Sequence, residues 1–245
     1  MRRQIVSEFR KVRTTRSVYA MAGGLLAIVL LGVAATVSEF HPEEVHGSVA
    51  TLPFVNLALT VIPLFALLLG IRSFTDEYRY GSLVPTLLAD PHRGRVLGAK
   101  AVTAAVTGVV LATIALAVAL ATGVPAVIAR GAEVTWSAPQ LATVVGRALG
   151  ATALWTTIGI GIGVAVRHQV AAIAGTLVWM IVGEGILAGL LPNVARFFPG
   201  AAGLSIVGID AGTVLAPMFG ALVLGGYAAI ATAVGGTLLA RRDVA

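Results

Sequence analysis

Residues 100–124 read KAVTAAVTGVVLATIALAVALATGV. Beyond Lys100 the run carries no charge, and its 25 residues reach ~37 Å as a helix, more than the ~30 Å of hydrocarbon in a bilayer. Five further apolar runs of similar length stand on either side of it: Val18–Val37, Leu52–Ile71, Leu141–Val166, Val170–Leu191 and Ala216–Ala240. The six together predict an all-α polytopic membrane protein with six transmembrane helices.

Composition agrees. Of 245 residues, 58% are hydrophobic and 11% charged, and mean hydropathy is +0.94. A soluble domain needs roughly a quarter of its residues charged to wet its surface. The first run lacks a small-residue cleavage site and exceeds a signal-peptide core, so it is expected to stay as a span. No repeat or linker divides the chain, and no polar segment exceeds about thirty residues, too few for a separate folded domain. Residues 1–245 are therefore expected to form one membrane domain. With no cysteine, disulfides and thiolate metal sites are excluded.

The charges give an orientation. Arg2, Arg3, Arg10, Lys11, Arg13 and Arg16 precede the first run; Arg72, Arg79, Arg93, Arg95 and Lys100 lie beyond the second; Arg167, Arg241 and Arg242 complete the set. That is fourteen of the seventeen basic residues on one side, which predicts both termini in the cytoplasm. Arg147 falls inside the fourth run; it either snorkels to the outer interface or moves the start of the span to Ala148.

Two polar segments carry information. In the N-terminal stretch Ile5, Phe9 and Val12 share a helical stripe, with Arg10, Lys11 and Arg13 off it. This predicts an amphipathic helix lying in the cytoplasmic interface. The longest basic-side connection runs Phe74-Thr75-Asp76-Glu77-Tyr78-Arg79-Tyr80-Gly81-Ser82, then Leu83-Val84-Pro85-Thr86-Leu87-Leu88-Ala89, then Asp90-Pro91. Gly81 permits a turn, Ser82 can cap a helix beginning at Leu83, Pro85 fits a first helical turn, and Asp90-Pro91 stops it. A short helix of about two turns is expected, with Leu83, Val84, Leu87 and Leu88 needing apolar contact.

Glu77-Tyr78-Arg79-x-Gly81-Ser82, then Thr86-Leu87-Leu88-Ala89-x-Pro91, then Arg93 and Ala99-Lys100, resembles the first cytoplasmic loop of type-2 ABC export permeases, as found in bacteria. Glu8-Phe9-Arg10-Lys11-x-Arg13-Thr14-Thr15-Arg16-Ser17 and Leu191-Pro192-x-x-x-Arg196-Phe197-x-Pro199-Gly200-Ala201 are similar to the same family. The resemblance implies a permease subunit of an ATP-driven exporter in the bacterial cytoplasmic membrane. Phe74 to Ala89 would be a coupling helix seated on a separate ATPase that binds Mg-ATP. A second permease copy would complete the path, and Pro192–Gly212 would form re-entrant helices on the outer side.

The chain itself carries no phosphate loop. Gly94-Arg95-Val96-Leu97-Gly98-Ala99-Lys100-Ala101 has the wrong spacing and no hydroxyl for magnesium, so no cofactor is expected on this chain. Glu184, in the fifth run, is a candidate for the translocation path, free to line a cavity, to pair with Arg147 or Arg196, or to make a structural contact. Asn56 is a weaker candidate, and with Thr60 suits hydrogen bonds between helices. Gly146-x-x-x-Gly150, Gly159-x-x-x-Gly163 and Gly185-x-x-x-Gly189 would allow close helix approach. His41-Pro42-Glu43-Glu44-Val45-His46 is not H-E-x-x-H and is expected to be a hydrated loop rather than a metal site. An intramembrane serine protease would need Ser205 and His168 together, yet the topology sets them on opposite sides. A secondary transporter or scaffold without an ATPase is the other alternative, although a proton-coupled carrier needs more buried charge than Glu184. The charge-poor spans suit a hydrophobic or amphipathic substrate.

Overall fold

A computed structural model of the chain describes residues 2–39, 52–89, 92–131, 137–208 and 215–241. Among these residues all regular structure is helical. The helices are α1 (Arg2–Thr14), α2 (Arg16–Ser38), α3 (Leu52–Arg79), α4 (Leu83–Ala89), α5 (Arg93–Ile128), α6 (Ala138–Val166), α7 (Gln169–Val178), α8 (Glu184–Leu190), α9 (Pro192–Ala195), α10 (Pro199–Val207) and α11 (Pro217–Arg241). A single π-helical turn, Trp179–Gly183, joins α7 to α8. Six helical stretches are long and apolar enough to cross a membrane, so the fold is an all-α polytopic membrane protein.

Local chemistry sets the ends. α6 starts with a capping box, Ser137 and Gln140 each bonding the other's backbone N–H, with Pro139 in the first turn. α3 ends where Gly81 takes φ +64. There the Ser82 N–H donates to the Glu77 carbonyl at 3.0 Å and the Gly81 N–H to the Tyr78 carbonyl at 3.4 Å, a Schellman closure that needs a left-handed residue. Between α6 and α7, Arg167 is left-handed and the His168 ring accepts from the Ala171 N–H. α10 opens on Pro199 and closes at Gly208, φ +86.

α3 and α6 form the central seam. A β-carbon on Gly70 would sit 2.1 Å from the Thr156 carbonyl oxygen, and one on Gly159 2.2 Å from that of Leu67. The two backbones therefore touch across glycine, and α11 closes on α6 in the same way at Gly161. Of the three small-residue pairs in the sequence only Gly159 and Gly163 are used so; Gly146, Gly150, Gly185 and Gly189 have no neighbour in reach.

Several boundaries differ from the sequence expectation. The second span does not end at Ile71, because no glycine or proline interrupts the ladder before Gly81; Phe74–Arg79 are helix rather than loop. α5 begins at Arg93, directly after its N-cap His92, so Lys100 lies two turns inside it. α6 begins at Ala138, and Arg147 is an exposed residue within it whose guanidinium reaches Gly208. The fifth span runs continuously over Gln169–Leu190 and contains the π turn. The His41–His46 loop and the Asp90-Pro91 stop lie outside the described residues.

The seam makes a testable contrast. Gly159→Val should overpack two backbones and lower stability by about 1–3 kcal/mol. Gly146→Ala, which meets nothing, should leave the melting temperature of the detergent-solubilised protein unchanged.

Candidate functional site

The extension of α3 and α5 beyond the apolar runs brings charges together. Glu77, near the end of α3, faces Lys100 on α5, and α1 lies across both. The Lys100 ammonium is 2.8 Å from Glu8 Oε2, 2.8 Å from Glu77 Oε1 and 3.2 Å from the Ser73 carbonyl oxygen. Its three protons thus have three acceptors, which is what an ammonium out of water requires. Lys11 closes the ring, 2.6 Å from Glu8 Oε1 and 2.7 Å from Glu77 Oε1. Lys100 is 2% exposed and Glu77 5%. Two lysines and two glutamates alternate, so the cluster is neutral. Thr86 of α4 reaches Glu77 Oε1 at 3.5 Å, and the Phe74 ring lies 5.7 Å from the Lys100 ammonium. A cavity of about 240 Å³ opens beside the cluster, lined by Glu8, Lys11, Thr15, Arg72, Asp76 and Lys100 among others.

The electrostatics reflect the pairing. Burial alone would push the Glu8 carboxyl up, but Lys100 and Lys11 outweigh it and hold it below the usual carboxylate range. Burial would push Lys11 down, but its bonds to Glu77 and Glu8 outweigh this and raise it. Glu8 therefore stabilises the docked α1 at pH above 4.5, a contribution lost as pH falls through its lowered value. Lys11 contributes below pH 10.5, and that part is lost as pH rises through its raised value.

A second chain of contacts ties α3 to the start of α7. Arg72 pairs with Asp76 at 3.2 Å. Gln169 donates to Asp76 Oδ1 at 2.9 Å and accepts from Arg79 at 3.2 Å. Tyr78 stacks on Phe74 at 5.7 Å and lies under the Arg167 guanidinium at 5.3 Å. Arg93 donates to the carbonyls of Leu239 and Ala240, binding the start of α5 to the C-terminal end of α11.

The expected coupling segment is thus divided. Phe74, Thr75 and Glu77 are buried and face the bundle. Leu83 of α4 is buried against Phe74, Ile160, Val164 and Leu239. Tyr80, Val84, Pro85 and Leu88 are exposed at the tip, while Ser82 gives its carbonyl to the N–H and hydroxyl of Thr86. On α1, Ile5, Phe9 and Val12 are half-buried and Arg10 and Arg13 exposed, as their stripe predicts. Lys11, placed by sequence on the solvent side, belongs to the cluster instead, because its partners come from α3 and from its own neighbour Glu8. Sequence does not show that Glu8 and Lys100 meet, and it does not single out Ser73 or Gln169. It does hold a signal for two of them: Glu8 and Lys11 stand three apart on one helix, and Lys100 is a lone cation at the edge of an apolar run.

Glu184 does not pair with Arg147 or Arg196. Its two oxygens accept from the Gly200 N–H at 3.1 and 3.0 Å, at the N-terminus of α10, and Arg196 instead lies over Phe197. Thr60 bonds back to the Asn56 carbonyl within α3 rather than across helices. Thr60, not Asn56, shares a cavity with Glu184. Ser205 is buried and donates to the Ala201 carbonyl, far in the chain from His168 at the α6–α7 turn. Gly94–Ala101 is continuous helix.

Lys100→Met should cost about 3–5 kcal/mol by leaving Glu8 and Glu77 to share one ammonium, that of Lys11, read as a lowered melting temperature. The protection of α1 against hydrogen exchange, taken relative to the intrinsic rate at each pH, should stay flat between pH 4.5 and 10.5 and fall on acidification below that window.

No curated protein matches the chain. A family model described as ABC-2 family transporter protein matches residues 4–183. That stretch runs from α1 through the basic-end cluster to the π turn, well over half of the chain, and the chain belongs to the ABC-2 transporter family as an ABC transporter membrane subunit.

Proposed function

We propose that this chain is the permease of an ATP-driven exporter and that α4, with the tip of α3, couples it to a separate ATPase. The observation that carries the reading is the ion cluster. It fastens α1, α3, α5 and, through Thr86, α4 into one body at the basic end. A push on Tyr80, Val84 or Leu88 would then move three helices together rather than bend a loop.

The family supports an ABC ATPase as partner. Mg-ATP would bind there, since the chain's own G-x-x-x-x-G-K-like segment lies inside α5. The charge asymmetry supports a cytoplasmic location for both termini and for the cluster. The working unit would be two permease copies and two ATPases in a bacterial cytoplasmic membrane. Its cargo would be a hydrophobic or amphipathic molecule passing outward along a path that includes Glu184 and Asn56.

The test uses the assembled permease–ATPase complex in proteoliposomes. Glu77→Gln leaves the cluster one negative charge short, and Arg79→Ala cuts the link to Gln169. Each should lower ATP-driven transport about tenfold while assembly and ATP turnover persist, and the purified chain alone should hydrolyse no ATP. Full transport by both variants in intact complexes would defeat the coupling assignment.

A further inference from the structure

α10 presents two glycines one turn apart, Gly200 and Gly203, to two different side chains. A β-carbon on Gly200 would lie 2.3 Å from Glu184 Oε2, and one on Gly203 2.9 Å from Trp155 Nε1. Residues three apart share a helix face. Glycine there lets a carboxylate and an indole N–H stand side by side, about one turn apart.

The indole is unusual. Trp155 is 2% exposed, yet its Nε1–H has no acceptor among the described residues. Buried donors are rarely left unpaired, because the unmade bond is expensive. Trp155 and Glu184 are also shared walls of two cavities. One, about 370 Å³, lies between α3, α6 and α10; the other, about 400 Å³, lies between α6, the fifth span and α11. Each is in the size range of small-molecule sites.

Their chemistry has one sign. Among the described residues, Glu184 is the one carboxylate lining either cavity, and no lysine, arginine or histidine lines them. Trp155, Trp179 and Tyr227 surround the second cavity, and aromatic faces attract cations. The remaining surface is apolar apart from a few threonine hydroxyls. Glu184 accepts from the Gly200 N–H with both oxygens and from the Trp179 side chain, and its four lone pairs leave room for a further donor. It also comes directly after the π turn, whose 179–184 bond sets its angle; such turns recur at functional sites.

We propose that the two cavities form one binding site for an amphipathic organic cation. Its positively charged head sits beside Glu184, an acceptor oxygen takes the Trp155 Nε1–H, and its apolar body fills the two cavities. As a statement about cargo this rests on the exporter reading; as a statement about binding it does not.

The test is saturable binding of radiolabelled tetracaine, a hydrophobic ester with an ammonium head, to the full-length chain in phosphatidylcholine nanodiscs. Empty discs report partitioning. Butyl aminobenzoate, an ester without the ammonium, is the uncharged comparison. Glu184→Gln keeps an acceptor for the Gly200 N–H and removes the charge. It should weaken tetracaine about tenfold and leave butyl aminobenzoate unchanged. Trp155→Phe keeps a ring and removes the N–H, and should weaken both esters about threefold. Binding no greater than to empty discs would overturn the site, as would equal tetracaine affinity in wild type and Glu184→Gln. If Glu184→Gln fails to fold, Trp155→Phe decides: unchanged affinity for both esters overturns the proposal. Intact binding with no ATP-driven transport would instead count against the exporter reading.

Discussion

An ammonium removed from water must find an acceptor for each of its protons or lose its charge. Lys100 finds three, on two helices: Glu8 from α1, and from α3 the Glu77 side chain and the Ser73 backbone. Separating any of these helices strands a buried charge, which costs several kcal/mol. This is why α1 is docked rather than floating on the membrane surface, and why α3 and α5 stay in register past the end of their apolar runs. Glu77, held by two lysines, then gives Thr86 of α4 something to lean on. The glycine seam between α3 and α6 sets how close the helices come; the cluster sets which of them move together.

Opposite in kind is the short helix α10, which has a charged side chain near each end. The Glu184 carboxylate meets its N-terminus at Gly200, and the Arg147 guanidinium lies beside its C-cap at Gly208. Both signs match the helix dipole. Two residues that look costly in a membrane span thus have a common task, and neither needs the other as a salt-bridge partner.

Much of this is legible in the residues. Hydropathy alone marks the six spans, and Gly81 announces the turn that Ser82 and Glu77 close. The stripe Ile5-Phe9-Val12 gives α1. Each feature that escapes a sequence reading does so for a physical reason. Arg72 looks like a membrane boundary, but a backbone ladder continues until a residue such as Gly81 leaves it, so hydropathy mistakes the end of α3 for loop. Lys11 sits off the apolar stripe and reads as solvated, because periodicity cannot show a partner 66 residues away. Arginines are the obvious partners for Glu184, whereas its donors are the Gly200 backbone N–H and the Trp179 side chain, neither of them a charged group. The α3–α6 seam is hidden as well, since Gly70, which is half of it, belongs to no spaced pair.

The cluster has a consequence for the order of assembly. Glu8 precedes Lys100 by 92 residues, and a chain is made from its N-terminus. When α1 and α2 leave the ribosome, the lysine that neutralises Glu8 has not been synthesised, and Glu77 is missing as well. Until α5 enters the bilayer, Glu8 has only one of its two lysine partners, Lys11. Docking of the first helix is therefore among the later events of biogenesis, and the basic end of the protein is fastened only after half of the spans are in place.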